Sequence, residues 1–198
     1  MNYEYTGQPL WYQKPIKALL PYIADLLEKL EIKYWLDWGT LLGAVRNGKM
    51  IPWDFDIDVG IFHRDTVRLL STEKYIAKNG YRFAVDRNKK HARKIRFFGK
   101  EGFDFHVDID PWIVRKGKVI TTYGDVRYRT IEELEVLDTI KFEGNTYPCP
   151  KNPKVGLARM LGEDWRTPKV GSGNVIYINK FDSNNEDIKK EIAKHPGC

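Results

Sequence analysis

Two short acidic segments constrain this chain more than any other feature. In Asp56-Ile57-Asp58-Val59-Gly60 and again in Asp104-Phe105-His106-Val107-Asp108-Ile109-Asp110, polar residues alternate with apolar ones at a period of two. That is the pattern of half-buried β-strands, whose successive side chains point to opposite faces of a sheet. Asp56 and Asp58 therefore share one face, with Ile57, Val59 and Ile61 on the other. Phe105, Val107 and Ile109 form the apolar face of the second segment. If the two strands lie side by side, Asp108 completes a three-carboxylate cluster. Such a cluster repels itself unless a cation neutralises it, and an all-oxygen donor set suits magnesium or manganese rather than zinc. The competing reading, solvent-facing acids on a half-exposed sheet, is weakened by finding two such strands in one chain.

Around these strands the pattern is of mixed α and β elements. Apolar residues at helical spacing from Ile16 to Leu30 predict an amphipathic helix over about 15–31, which Pro21 starts or kinks. A short aromatic strand, Lys33 to Trp38, is followed by a turn at Gly39-Thr40 and a small helix, Leu41 to Arg46. A helix is expected from Asp65, as N-cap, to Asn79-Gly80. Strands follow over 81–85, 93–98, 103–109 and 113–120, with Lys116-Gly117 at a turn. A short helix is expected near 155–161 and a loop at Gly171-Ser172-Gly173. No repeat or linker divides the chain, so a single domain over 1–198 is expected, its polar tail loosely held from about 183.

A strand-to-helix turn directs backbone N–H groups and the positive end of a helix towards an anion. Gly39 and Thr40 occupy that turn, with Gly43 and Arg46 following, and Arg46 offers a bidentate phosphate contact. Alone the signal is weak, since glycines at such turns are usually just turns. Charge gives a second pointer. The segment Arg87 to Arg96 holds six Lys or Arg and no acid, the whole excess of the 33 basic over the 27 acidic residues. A local basic site fits phosphate or an anionic surface better than a long nucleic acid, although a solvated loop has the same composition. Alternation within its second half sets Lys94 and Arg96 on one face and Arg93 on the other.

At 198 residues, 42% hydrophobic and 30% charged, the chain needs no disulfide framework to fold. Its two cysteines, Cys149 and Cys198, are too few for one, or for a Cys-rich zinc site. No segment approaches the roughly 20 apolar residues that span a bilayer, and the first residues lack a leader pattern. A cytoplasmic location is expected, with peripheral contact to an anionic membrane left open by the basic segment.

The blocks Tyr34-Trp35-Leu36-Asp37-Trp38-Gly39-Thr40-Leu41-Leu42-Gly43-Ala44-Val45-Arg46 and Ile51-Pro52-Trp53-Asp54-Phe55-Asp56-Ile57-Asp58 resemble the LicD and fukutin-related family of phosphotransferases. His106-Val107-Asp108-Ile109 is similar to that family's second acidic strand, and Phe142 to Pro150 with Leu161 to Pro168 to its C-terminal signature. The resemblance covers about residues 15–170. It implies an α+β, nucleotidyltransferase-like mixed β-sheet flanked by helices. It also implies transfer of a phosphate-linked group, such as phosphocholine or a pentitol phosphate, from a CDP-linked donor to a hydroxyl of a glycan, lipid-linked glycan or related acceptor.

By the same resemblance, Asp56, Asp58 and Asp108 bind Mg2+ or Mn2+. In such a site Gly39, Thr40, Gly43 and Arg46 hold the donor phosphates, and Asp108 or Asp110 takes the acceptor proton. From the alternation of the basic segment, and not from the resemblance, Lys94 and Arg96 are expected to assist with the phosphates. Asp54 orients its loop. His106 reads better as a hydrogen-bonded structural residue than as a ligand, and Trp53 and Trp112 as core. The zinc site of some eukaryotic relatives does not carry over, because no suitable Cys and His cluster exists here. Two alternatives stand beside this one: a nucleotidyltransferase that moves NMP from an NTP, and a non-catalytic RNA- or membrane-binding module. The acids of the groove argue against the second, because without a metal they repel phosphate.

Overall fold

The computed structural model describes residues 10–51, 54, 56–87, 92–100, 106–122 and 127–167. Trp53, Phe55, Lys89, Lys90, Asp104, the Gly171-Ser172-Gly173 loop and the tail expected from about 183 lie outside them. The chain forms two compact units that divide after Pro153, and the acidic strands belong to the first.

The centre of the first unit is a mixed sheet. Its main path runs β1 (Tyr34–Leu36), β2 (Ile57–Phe62), β5 (His106–Arg115), β4 (Ala92–Phe98), β3 (Arg82–Arg87). β2 and β5 run parallel and the other pairs antiparallel. β5 is one continuous strand where the sequence suggested two separated at Pro111. Its first half pairs with β4 and its second half with β6 (Lys118–Thr121), which in turn pairs with β7 (Tyr128–Thr130). Pro111 falls between those two partners, where its missing N–H breaks no bond of either antiparallel ladder. Thr122 closes the gap: its N–H donates to the Pro111 carbonyl (3.1 Å) and its hydroxyl to that of Ala92 (2.7 Å).

One face of the sheet is apolar, as alternation required. Ile57, Val59, Ile61, Ile95, Phe97, Val107 and Ile109 are all fully buried there. α1 (Leu10–Lys29) supplies Leu19, Leu20, Ile23 and Leu27 to the same core, and Tyr22 stacks on Tyr81 and Phe97. This helix begins before the expected boundary and runs on through Pro21. The helix expected over 65–79 is broken into a 3-10 turn (His63–Asp65), α3 (Thr66–Leu70) and α4 (Glu73–Lys78). The Ser71 and Thr72 hydroxyls each donate to a carbonyl three residues back (both 2.7 Å), a bond that competes with the helical ladder. Asp65, expected as a cap, makes no capping hydrogen bond and pairs with Arg68 instead (2.9 Å).

α2 (Trp38–Asn47) follows β1, and α5 (Ile131–Glu135) follows β7 with a reciprocal Thr130–Glu133 capping box. A hairpin of β8 (Asp138–Phe142) and β9 (Asn145–Cys149) forms a separate small sheet. Glu143, at its tip, accepts from the Met50 N–H (2.8 Å) and meets Lys17 (3.0 Å), so it fixes the segment after α2. α6 (Pro153–Leu161), which falls in the second unit from Lys154 onward, buries Leu157 and Met160. None of the described helices is long and apolar enough to cross a membrane.

Gly60 shows how tightly β1 and β2 pack. A Cβ there would stand 2.3 Å from the indole of fully buried Trp35, its partner in register. Gly60→Ala is expected to cost about 1–3 kcal/mol, the usual range for overpacking, measured as a lowered denaturation midpoint. An unchanged midpoint would mean that Trp35 repacks freely.

Candidate metal and phosphate site

The parallel register of β2 and β5 sets Asp58 opposite Asp108 and Gly60 opposite Asp110. Because side chains alternate, all three acids share the face away from α1, and Asp56, one step before β2, joins them. Ligand oxygens of Asp56, Asp58 and Asp108 lie within 4.8 Å of one another. Asp58 and Asp108 are buried and Asp110 has no exposure at all. Burial pushes Asp56 up, helped by the charge of Asp108; it raises Asp58 far more, helped by Asp56. Burial, with Asp108 and Asp37 adding, pushes Asp110 up to about 7, against the opposing pull of Lys94. Among the described residues, Asp108 Oδ1 and both Asp110 oxygens are buried with no partner in hydrogen-bonding geometry. Carboxylates this crowded, with lone pairs unspent, are a donor set that fits a hard divalent cation.

The register also brings two of the predicted cations to this face. Arg96 pairs with Asp108 across β4 and β5, and Lys94 lies two residues before it on the same face. Lys94 Nζ stands 2.5 Å from Asp108 Oδ2 and 3.8 Å from Asp110 Oδ1. Arg96 Nε is 3.4 Å and His106 Nε2 3.3 Å from Asp108 Oδ1. Burial alone would raise Asp108, but the His106 contact and the Lys94 charge outweigh it and hold this acid below its ordinary value. Lys94 is opposed by burial in the same way, yet Asp110, Asp108 and Asp58 together raise it. Arg93 is exposed and only skirts Asp86 (4.0 Å).

The residues around the first turn of α2 divide. The strand-to-helix turn falls at Asp37 rather than at Gly39-Thr40, and both of the latter lie inside the helix, buried. Thr40 reaches the acids through the backbone: its Oγ1 accepts from the Asp58 N–H (2.8 Å), while the Asp37 N–H donates to the Asp58 carbonyl (3.1 Å). Asp58 is thus clasped on both sides of its peptide frame. Gly43 has a packing reason, since a Cβ there would meet the Lys49 carbonyl at 2.5 Å. Arg46 sits in the last turn of α2, roughly 12 Å along the axis from Trp38, and so far from the positive end of the helix. Asp54 lies in a turn, its N–H donating to the Ile51 carbonyl (2.9 Å).

Sequence reasoning missed the buried support behind this turn. Asp37 caps α2, accepting from the Trp38 N–H (2.9 Å) and the Trp35 indole (3.0 Å), and it forms an ion pair with Arg129 on β7. Both members of the pair have no exposed side chain. Trp38 holds φ at +40°, a conformation that costs a bulky residue about 1–3 kcal/mol. Its ring is stacked on Trp112 (5.6 Å) and covered by the Arg127 guanidinium (4.3 Å). Trp112 is core, as expected. The available signal was an acid inside the aromatic run Tyr34-Trp35-Leu36-Asp37-Trp38; its partner, 92 positions away, left none.

Residues 31–152 match the family described as LicD/FKTN/FKRP, nucleotidyltransferase domain, and the chain belongs to that family of phosphotransferases. It is 30% identical over 170 residues to the human ribitol 5-phosphate transferase FKRP, an alignment covering 81% of this chain and 34% of that protein. It is 44% identical over 147 residues to the uncharacterized protein RP689 of Rickettsia prowazekii, covering 70% and 51% of the two chains. With the lipopolysaccharide cholinephosphotransferase LicD of Haemophilus influenzae it shares 51% identity over 47 residues, 24% of this chain and 17% of that protein. The chain therefore spans about a third to a half of the first two relatives. Among solved structures, the lincosamide antibiotic adenylyltransferase LnuA aligns with a TM-score of 0.47 at 20% identity, covering 68% of this chain and 80% of that one.

Proposed function

We propose that this chain transfers a phosphate-linked group, such as phosphocholine or a pentitol phosphate, from a CDP-linked donor to a hydroxyl of a glycan or related acceptor. The observation that carries the reading is the convergence of Asp56, Asp58 and Asp108 within 4.8 Å beside the cations Lys94 and Arg96. Family membership supports it, as do relatives that bear the names of ribitol-phosphate and cholinephosphate transferases.

Asp56, Asp58 and Asp108 would hold Mg2+ or Mn2+, which when bound neutralises diphosphate oxygens and stabilises the charge that develops on them. The rest falls to the chain's own groups. Lys94 and Arg96 draw the donor phosphates to the acid face, and Thr40 keeps Asp58 in place through its N–H. An acceptor hydroxyl oxygen forms a bond to the distal phosphorus as the bond to the CMP oxygen breaks. CMP leaves with that electron pair, and the hydroxyl proton passes to a carboxylate. A loose phosphoryl-transfer transition state asks more of positioning than of base strength. Asp110, pushed up to about 7, has the basicity to take that proton near neutrality but no open edge. Asp108 is slightly exposed where Asp110 is not, although its Oδ1 is buried beside Arg96 and His106.

Exposed Arg87 and Arg93 at the ends of β3 and β4, with Lys89 and Lys90 between them in sequence, make a basic segment suited to an anionic acceptor or membrane surface. The nucleotidyltransferase alternative needs the same acids and differs in which phosphorus is attacked. Product analysis separates the two. Incubated with Mg2+ and a panel of CDP-ribitol, CDP-choline and CDP-glycerol, the protein is expected to accumulate CMP from one of them. Pyrophosphate from a nucleoside triphosphate, with no CMP from any CDP-linked compound, would establish the alternative.

A further inference from the structure

Three carboxylates gathered within 4.8 Å, with a fourth buried beside them, repel one another unless protons are retained or a positive charge stands in their midst. In this structure that charge is the ammonium of Lys94. Its Nζ binds Asp108 Oδ2 at 2.5 Å and leans on Asp110 Oδ1 at 3.8 Å, with the side chain only 24% exposed. It therefore occupies the coordination space of one of the acids that a divalent cation would need. Two positive centres sharing Asp108 repel strongly at this depth, where screening by water is weak.

We propose that Lys94 is an exchangeable resident counter-ion: it holds the acid cluster together before a metal enters, gives up Asp108 as the metal binds, and is thereby freed to meet the donor phosphates. This rests on the metal-dependent reading above. The residue type suits the task. A lysine carries a compact charge on a flexible four-carbon stem and can swing between partners, whereas an arginine would lock the carboxylate with a planar fork. Arg96, the other cation on this acid, stands further off at 3.4 Å, on Oδ1 beside His106 Nε2 at 3.3 Å, and leaves Oδ2 to Lys94. Asp108 Oδ2, which Lys94 holds at 2.5 Å, is the oxygen that its withdrawal would release to the metal.

The test is calorimetric titration of the intact chain with Mn2+, without donor, together with metal-free melting. Lys94→Met is expected to bind Mn2+ at least about tenfold more tightly than wild type, the size of a close ion pair no longer competing. It should also melt lower without metal and gain more from it. Lys94→Arg, which keeps the charge and grips harder, should bind Mn2+ more weakly than wild type. With Mg2+ present, Lys94→Met should bind CDP several-fold more weakly. If Lys94→Met is unfolded without metal, recovery of a cooperative melt on adding Mn2+ supports the exchange, and failure to recover overturns it. Mn2+ affinity in a folded Lys94→Met equal to or below wild type overturns it too, as does tighter binding by Lys94→Arg; undiminished CDP affinity overturns the move to phosphate. Wild type that binds no Mn2+ at all would instead refute the metal reading on which the exchange depends.

Discussion

Asp58→Asn is expected to abolish measurable Mg2+ binding and to lower turnover by about 10³-fold or more, the scale on which single electrostatic contributors to a transition state act. Of the three clustered acids, Asp58 is the one most disfavoured as an anion: its pKa is raised well above 3.8, first by burial and then by Asp56. A carboxylate raised on folding binds its proton more tightly in the folded chain than in the unfolded one. The stability linked to that proton is complete below the unfolded value and is lost as pH rises through the folded one. The metal-free wild type should therefore weaken as pH climbs from about 4 towards 7, the upper end marked by Asp110. Asp58→Asn removes one of these charges, so its metal-free melting temperature should match the wild type near pH 4 and exceed it near pH 7. Activity and stability then move in opposite directions, which distinguishes a lost ligand from a damaged fold. A variant that binds Mg2+ normally, or that melts lower than wild type at neutral pH, would contradict the assignment.

The acids were legible because period-two alternation fixes a face without knowledge of any partner strand. It set Asp56 with Asp58, Asp108 with Asp110, and Lys94 with Arg96, each pair on one face of its own strand; that the two acid pairs meet follows only from the parallel pairing of β2 with β5. What the pattern does not carry is any contact set by the third dimension alone. Pro111 reads as a strand end, yet it lies mid-strand because two different neighbours share that edge of β5. Ser71 and Thr72 break a helix whose apolar spacing looked continuous, through local hydroxyl bonds that periodicity ignores. Gly39-Thr40 reads as the strand-to-helix turn itself; in the fold that turn is at Asp37, the two residues lie in the first turn of α2, and the Thr40 hydroxyl accepts from the Asp58 N–H. Gly43 looked like part of the same turn and is small because the chain at Lys49 passes against it.

Asp37→Asn is expected to cost about 3–5 kcal/mol, because it leaves the Arg129 guanidinium buried without its counter-charge. Arg129 has no exposure, and among the described residues its Nε and Nη1 have no hydrogen-bond partner, so the Asp37 carboxylate on Nη2 is its counter-charge. Asparagine retains an oxygen for the helix cap or the Trp35 indole, which confines the loss mainly to charge. Arg129→Met should cost less, because Asp37 keeps two N–H donors once the cation is gone. The double variant should fall well short of the sum of the two, since each single change strands the other's charge. The damage should also reach the acids: the Asp37 N–H holds the Asp58 carbonyl, and the same turn carries Thr40. Mg2+ affinity should therefore fall in Asp37→Asn at temperatures where the chain is still folded. Denaturant melts of the two singles and the double, with metal titration of each, measure both effects. Additive costs, or unaltered metal affinity in folded Asp37→Asn, would show that the buried pair and the acid face are independent.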